Sequence, residues 1–289
     1  LIFSFSHFLI LSFSHSLIFS LVLLALPFIY IINYVLLKSF LYFCNAIYRR
    51  NMYDKVRAIV ISSLKYSDNS LIVKCFTQTM GTRSYLLQGV LAQKKGNLKT
   101  ALFQPFMLLE LVATHKNNGT LGRVKEAKIV VPYYSLHTDM YKSAVSMFLS
   151  EVCAFVCTSE APDEEMFLFL EQKLLFFDRN DFSANFHLKF LLDITRYLGF
   201  YPDTTHEHLP SFSLEDGIFT TTDESKYTIT GTTLLLFKTL LHTDYPQLST
   251  VKSNKNERNA LLFQLLKYYE WHFPNFRQIK SLEVLQMLF

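Results

Sequence analysis

Hydrophobic and polar positions follow three different rhythms along the chain. Through residues 1–37 apolar side chains run almost without interruption and no formal charge occurs. An octad nearly repeats there, Ser4-Phe5-Ser6-His7-Phe8-Leu9-Ile10 and then Ser12-Phe13-Ser14-His15-Ser16-Leu17-Ile18. From Met52 the rhythm becomes a two-residue alternation punctuated by turn residues. Leu71, Val73 and Cys75 fall on one face of a strand, and Ile72, Lys74 and Phe76 on the other. After Pro132 apolar residues recur at helical spacing, as in Ala144, Val145, Phe148, Leu149, Val152 and Phe155.

The middle rhythm predicts five strands, over residues 52–65, 70–77, 83–90, 102–114 and 121–131. Turns separate them at Tyr66-Ser67-Asp68-Asn69, Met80-Gly81-Thr82 and Lys116-Asn117-Asn118-Gly119, and a basic loop spans residues 93–99. Pro105 inside the fourth strand points to an edge or a bulge. Five short strands with no competing helical period suggest a small barrel or sandwich, and a five-stranded OB-type barrel is the first choice. The last rhythm predicts helices over 136–158, 162–177, 183–198, 232–242 and 257–272, with a short one over 279–289. Pro162-Asp163-Glu164-Glu165 suits a first helical turn, and Gly199 with Pro202 marks a helix end. Residues 203–230 read as a polar, irregular segment, and Trp271 is expected to pack within the last long helix. The fold class is therefore α+β and multidomain: an apolar extension over 1–51, an OB-fold domain over 52–131 and a helical bundle over 132–289.

The apolar extension has two readings. Residues 17–37 are long enough to cross a bilayer as a helix, and Lys38, Arg49 and Arg50 after them would leave the remainder in the cytoplasm. Alternatively, because the first methionine is Met52, residues 1–51 are a wrongly extended start, in which case the protein is cytoplasmic.

Composition sharpens the division. Half of the 289 residues are hydrophobic and 18% are charged, which excludes a disordered chain. Four cysteines exclude a disulfide-dense scaffold. The net +4 conceals a split: residues 52–131 carry twelve Lys and Arg against four Asp and Glu, a net +8. Residues 132–289 carry thirteen against twenty, a net −7, and the extension adds +3. A basic barrel beside an acidic bundle is read as a polyanion-binding module, since Lys and Arg facing phosphates dominate nucleic-acid affinity. The plainer reading is a barrel that happens to be basic.

The candidate DNA-binding residues are Lys74, Arg83, Tyr85, Lys94, Lys95, Lys99, Lys116, Arg123, Lys125 and Lys128. Cations interleaved with aromatics suit a single strand, because charge tracks the backbone while a ring stacks on a base. Tyr85 serves equally well as a core residue, and Phe76 is expected in the core. Catalytic patterns are missing: residues 96–100 lack the glycine that a phosphate loop places before its lysine, and neither a nucleophile elbow nor a zinc-protease helix occurs. Cys153 and Cys157 read as core thiols, and His206-Glu207-His208 as a solvated loop. No enzyme activity, cofactor or metal is expected.

Ala58-Ile59-Val60-Ile61 followed by residues 66–73, Tyr66-Ser67-Asp68-Asn69-Ser70-Leu71-Ile72-Val73, resembles the opening of the RecO family of bacterial DNA repair proteins. The likeness continues through Gly89-Val90, Lys94-Lys95, Phe103-Gln104-Pro105, Glu110-Leu111 and Leu121 to Lys125-Glu126-Ala127. In the helical half it includes Phe148-Leu149-Ser150-Glu151 and Leu198-Gly199-Phe200-Tyr201-Pro202, and it leaves out residues 1–51. The resemblance implies an OB-fold, a helical domain and a recombination mediator rather than an enzyme. Such a mediator binds and anneals single-stranded DNA, binds double-stranded DNA, and works with RecR to let RecA displace single-strand-binding protein. Many members hold zinc with two Cys-x-x-Cys pairs after the Leu-Gly-aromatic-x-Pro segment. Here residues 203–230 contain no cysteine, so the resemblance implies a module without its metal, held by packing through Phe212 and Phe219. A membrane-anchored interaction module built on residues 17–37 remains the competing functional reading.

Overall fold

A computed structural model describes Lys38 and residues 53–92, 98–115, 120–221 and 227–288. The extension and its possible membrane segment otherwise lie outside the described residues. Among the described residues no helix is long and apolar enough to cross a membrane.

Five strands close into a barrel in the order β1-β2-β3-β5-β4. They are β1 (Tyr53–Ser67), β2 (Ser70–Thr77), β3 (Gly81–Leu87), β4 (Leu108–Thr114) and β5 (Gly122–Ile129). All neighbours are antiparallel except β3 and β5, whose parallel pairing of Tyr85 with Gly122 and Leu86 with Arg123 closes the ring. This is the five-stranded OB arrangement expected from the sequence. Gly122 is needed at the closure, because a Cβ there would sit 2.3 Å from the Thr114 carbonyl oxygen and 2.8 Å from the Tyr85 ring.

The fourth strand is shorter than its hydrophobic run predicts. Residues 100–103 form a 3-10 turn, and strand pairing begins only at Leu108. Pro105 cannot donate to a ladder, and Phe106 adopts φ 64°, which turns the chain before the strand starts. The Phe106 N–H still donates to the Val60 carbonyl at 2.7 Å, anchoring the detour.

Among the described residues six α-helices follow: α1 (Met140–Val156), α2 (Glu164–Arg179), α3 (Phe186–Leu198), α4 (Gly231–His242), α5 (Lys255–His272) and α6 (Leu282–Leu288). The Asp163 side chain caps α2 by accepting from the Met166 N–H at 2.9 Å, and Gly199 ends α3 at φ 83°. The segment read as irregular contains a small sheet of β6 (Ser211–Ser213), β7 (Phe219–Thr220) and β8 (Thr228–Ile229), in the order β7-β6-β8. Strands this short leave no periodic signal. Phe212 and Phe219 pack their rings 5.1 Å apart, and Phe212 meets Phe237 at 4.7 Å and Tyr268 at 5.7 Å. Trp271 departs from expectation: it is 41% exposed on the outer side of α5, with its indole edge-on to Tyr227.

Among the described residues there are two apolar cores, and the barrel wall separates them. Val56, Ala58, Val60, Val73, Cys75, Tyr85, Leu109 and Leu111 fill the barrel. Ile59, Ile61, Phe76, Phe106 and Leu108 point outward instead, into the core of the helical domain. Residues 58–61 of β1 and 75–77 of β2 are thus buried on both faces, while both ends of β1 are exposed. The sequence divides the faces of β2 as observed, and the second face also packs against the helical domain, through Phe76 and Lys74.

Candidate nucleic-acid interface

The barrel's outer surface has a covered part and an open part. On the covered part, the Phe76 ring lies 6.3 Å from that of Phe167, and Arg57 forms an ion pair with Glu171 while its guanidinium sits 5.8 Å over the Phe167 ring. The β2–β3 turn docks on the chain between α1 and α2: the Thr82 N–H donates to the Ser159 carbonyl at 2.8 Å, and its hydroxyl donates to the Cys157 carbonyl at 2.9 Å. Gly81 is required at this contact, with φ 65° and a hypothetical Cβ only 2.3 Å from the Ala161 carbonyl oxygen.

Three sequence-predicted residues belong to this covered part or to the barrel interior, and the structure moves them off the open surface. Lys74 donates from Nζ to the Ala154 carbonyl at 2.6 Å. Burial pushes its amine below the usual lysine range, against the nearby Cys157 and Cys153 thiols. Arg83 pairs with Glu160 at 2.8 Å and its side chain is only 12% exposed. Tyr85 shares the Arg83 face as expected, but that face is the inside of the barrel. The Tyr85 ring is 1% exposed, with its hydroxyl 3.2 Å from His115 Nδ1. Burial drives the Tyr85 phenol well above its ordinary range and the His115 imidazole below its own. A base cannot stack on a ring enclosed by five strands.

The open part lies on β1, β4 and β5. Glu110 pairs in register with Lys128 and Thr114 with Arg123, and Lys125 occupies a bulge between the two flanking pairings. Arg123, Lys125 and Lys128 are all exposed. From Arg123 to Lys128 the strand covers about 16 Å at the usual rise per residue. Lys125 places Nζ 5.7 Å over the Tyr53 ring, and Lys55 pairs with Glu110 at 2.8 Å. Four cations therefore face two carboxylates, Glu110 and Glu126, around an exposed tyrosine. Lys99 is exposed just ahead of the 3-10 turn, which packs beside β1 and β5. Lys94, Lys95 and Lys116 lie outside the described residues.

Tyr53 and Lys55 were missed in the sequence because they sit at the start of a strand read for its core residues. Register is the signal that finds them: Tyr53 pairs with Thr114 and Lys55 with Val112. Also without a sequence signature is the clamp on the chain between barrel and bundle. The Asp178 carboxylate accepts the N–H groups of Tyr134, Ser135 and Leu136 at 2.8–3.1 Å. Lys142, 5% exposed, donates to the Ser135 hydroxyl and to the carbonyls of Asp178 and Asn180. These two residues fix where the barrel joins the helices.

In the helical domain, Cys153 and Cys157 are buried core thiols. Glu207 is within 2.6 Å of His242, joining the predicted solvated loop to the end of α4. Among the described residues no cluster of three or more His, Cys, Asp or Glu has the arrangement of a metal site.

Comparison with known proteins agrees with this architecture. Residues 52–133 match the family described as Recombination protein O N terminal, and residues 137–283 match Recombination protein O C terminal. The DNA repair protein RecO of Christiangramia forsetii is 44% identical over 233 residues, covering 81% of this chain and 98% of that protein. Its namesake in Flavobacterium psychrophilum is 42% identical over 238 residues, covering 82% of this chain and all of that protein. The Bacteroides fragilis protein of the same name is 35% identical over 243 residues, again covering all of that protein. From Met52 onward, the chain belongs to the RecO family of DNA repair proteins.

Proposed function

We propose that the protein is a non-enzymatic recombination mediator whose barrel holds single-stranded DNA on its open face. The carrying observation is the exposed set Arg123, Lys125, Lys128 and Lys55 around Tyr53, on an OB barrel whose opposite side is occupied by helices. Lys99 adds an exposed charge, and Lys94, Lys95 and Lys116, which lie outside the described residues, are assigned to the same binding role from the sequence alone. Binding of this kind is largely independent of sequence, because phosphates rather than base edges supply most of the free energy. Duplex DNA binds the same cations, and annealing follows when one strand is held with its bases accessible to a second.

In this reading the acidic helical domain is repelled by DNA and serves protein partners, RecR and single-strand-binding protein, with RecA engaged indirectly. The working compartment is the cytoplasm, where the chromosome and its single-stranded gaps are found. The test is binding of a fluorescent oligonucleotide by the full chain across a salt series. Affinity should fall steeply as salt rises, with log affinity linear in log salt. Affinity that is weak and insensitive to salt would overturn the reading.

A further inference from the structure

A protein that holds single strands needs more than charge, because a base offers its flat face to an aromatic ring. The barrel has six aromatic side chains: Tyr53, Tyr66, Phe76, Tyr85, Phe103 and Phe106. Four are at most 2% exposed and cannot reach a base. Tyr53 is 45% exposed, but a cation already lies over its ring. That leaves Tyr66, which is 64% exposed at the tip of the β1–β2 hairpin.

The backbone at Tyr66 is specialised. Lys65 pairs with Leu71 and Ser67 with Ser70, so Tyr66 is the extra residue of a β-bulge. A bulge twists the strand and re-aims one side chain away from the ladder. Among the described residues, no hydrogen bond, ion pair or ring contact engages the side chain of Tyr66 or that of the neighbouring exposed Lys65. Leu64, 66% exposed, adds an apolar shoulder. The turn that follows is anchored, since the Leu91 N–H donates to the Asn69 carbonyl at 3.2 Å. Loops joining the first two strands of OB barrels are a usual place for oligonucleotide contact.

We propose that Tyr66 is the base-stacking residue of this protein, with Lys65 beside it meeting a phosphate of the same single strand. The inference rests on the single-strand reading above and names the residue that would distinguish bases from bare backbone. Tyr66→Ala should weaken oligothymidylate binding roughly 5- to 150-fold. The salt dependence should stay unchanged, since no charge is lost. Tyr66→Phe should bind as the parent does. An abasic oligomer of equal length, which has phosphates but no bases, should bind the parent and Tyr66→Ala equally. As a second readout, Tyr66→Trp in a Trp271→Phe background should lose fluorescence as oligothymidylate saturates it, and not with the abasic oligomer. Parent-like oligothymidylate affinity in Tyr66→Ala, or a tryptophan signal that ignores the bases, would overturn the proposal while leaving the single-strand reading intact. Absence of oligonucleotide binding by the unsubstituted chain would overturn both.

Discussion

The two sides of the barrel carry the same kinds of residue and use them in opposite ways. On the covered side, Lys74 and Arg57 accompany Phe76; on the open side, Lys125, Arg123 and Lys128 accompany Tyr53. Both covered cations have a partner from the helical domain, Ala154 and Glu171 respectively, and Arg83 of the inward face has one in Glu160. The open cations have no partner from the helical domain: Lys125 lies over Tyr53 and Lys55 pairs with Glu110, both within the barrel, and Arg123 and Lys128 are exposed. A cation beside an aromatic is therefore not a DNA-binding signature in itself. What decides its role is whether another element of the same chain covers it.

The largest effect should come from removing the covered aromatic. Phe76→Ala empties a site between the barrel and α2, where the ring is 2% exposed, and should destabilise the fold by about 3–5 kcal/mol in urea unfolding. Tyr53→Ala, on the open side, should cost far less. Equal losses at the two positions would erase the distinction between the sides.

Next in size is the combined replacement of Arg123, Lys125 and Lys128 by Gln. If each meets one phosphate, the slope of log affinity against log salt should become shallower by about 2 for a single strand. Stability should change by no more than about 0.5 kcal/mol per substitution, because all three side chains are exposed. Tight, steeply salt-dependent binding by the triple variant would move the interface elsewhere.

Acid should act on the covered side. His187 lies in α3 inside the helical core, edge-on to Phe148, and burial holds its imidazole down to about 3, with Arg258 adding to the effect. Between about pH 6.5 and that value the unfolded chain binds a proton that the folded chain refuses. Stability contributed by the neutral imidazole is thus complete above pH 6.5 and declines as pH falls, by about 2 kcal/mol at pH 5. Chemical unfolding at pH 7 and pH 5 measures it, and His187→Leu should flatten the difference. An unchanged pH dependence in that variant would show that other groups carry it.

Most of this architecture was readable in the sequence because barrel and bundle have different periods. Strand alternation located β1, β2 and β5 within a few residues, and the capping signals at Asp163 and Gly199 marked the ends of α2 and α3. The charge split also marked out the basic barrel. Pairwise alternation of Lys74 with Phe76, and of Arg83 with Tyr85, was read correctly as to face. It could not reveal that one face meets helices about 80 residues later in the chain and that the other is the barrel's inside. That information resides in long-range contacts such as Phe76 with Phe167, which no local window contains. Tyr66 went unnoticed as a site for a related reason: its sequence context reads only as a turn, and the bulge that frees its side chain depends on register with β2.

The smallest effect should be at Lys74, and it is the most direct test of the division. Its ammonium is half-buried and donates to the Ala154 carbonyl, so a phosphate would have to compete with a bond already formed in a desolvated seam. Lys74→Met keeps the apolar stem and removes only the charge. Because that charge is screened from solvent by α1, the salt slope for oligonucleotide binding should match that of the unsubstituted chain, and affinity should remain within about twofold once folded protein is equalised. A slope shallower by about 0.7, the value of one lost single-strand phosphate contact, would show that the seam opens to admit DNA. In that case the two sides of the barrel would be two states of one surface rather than two surfaces.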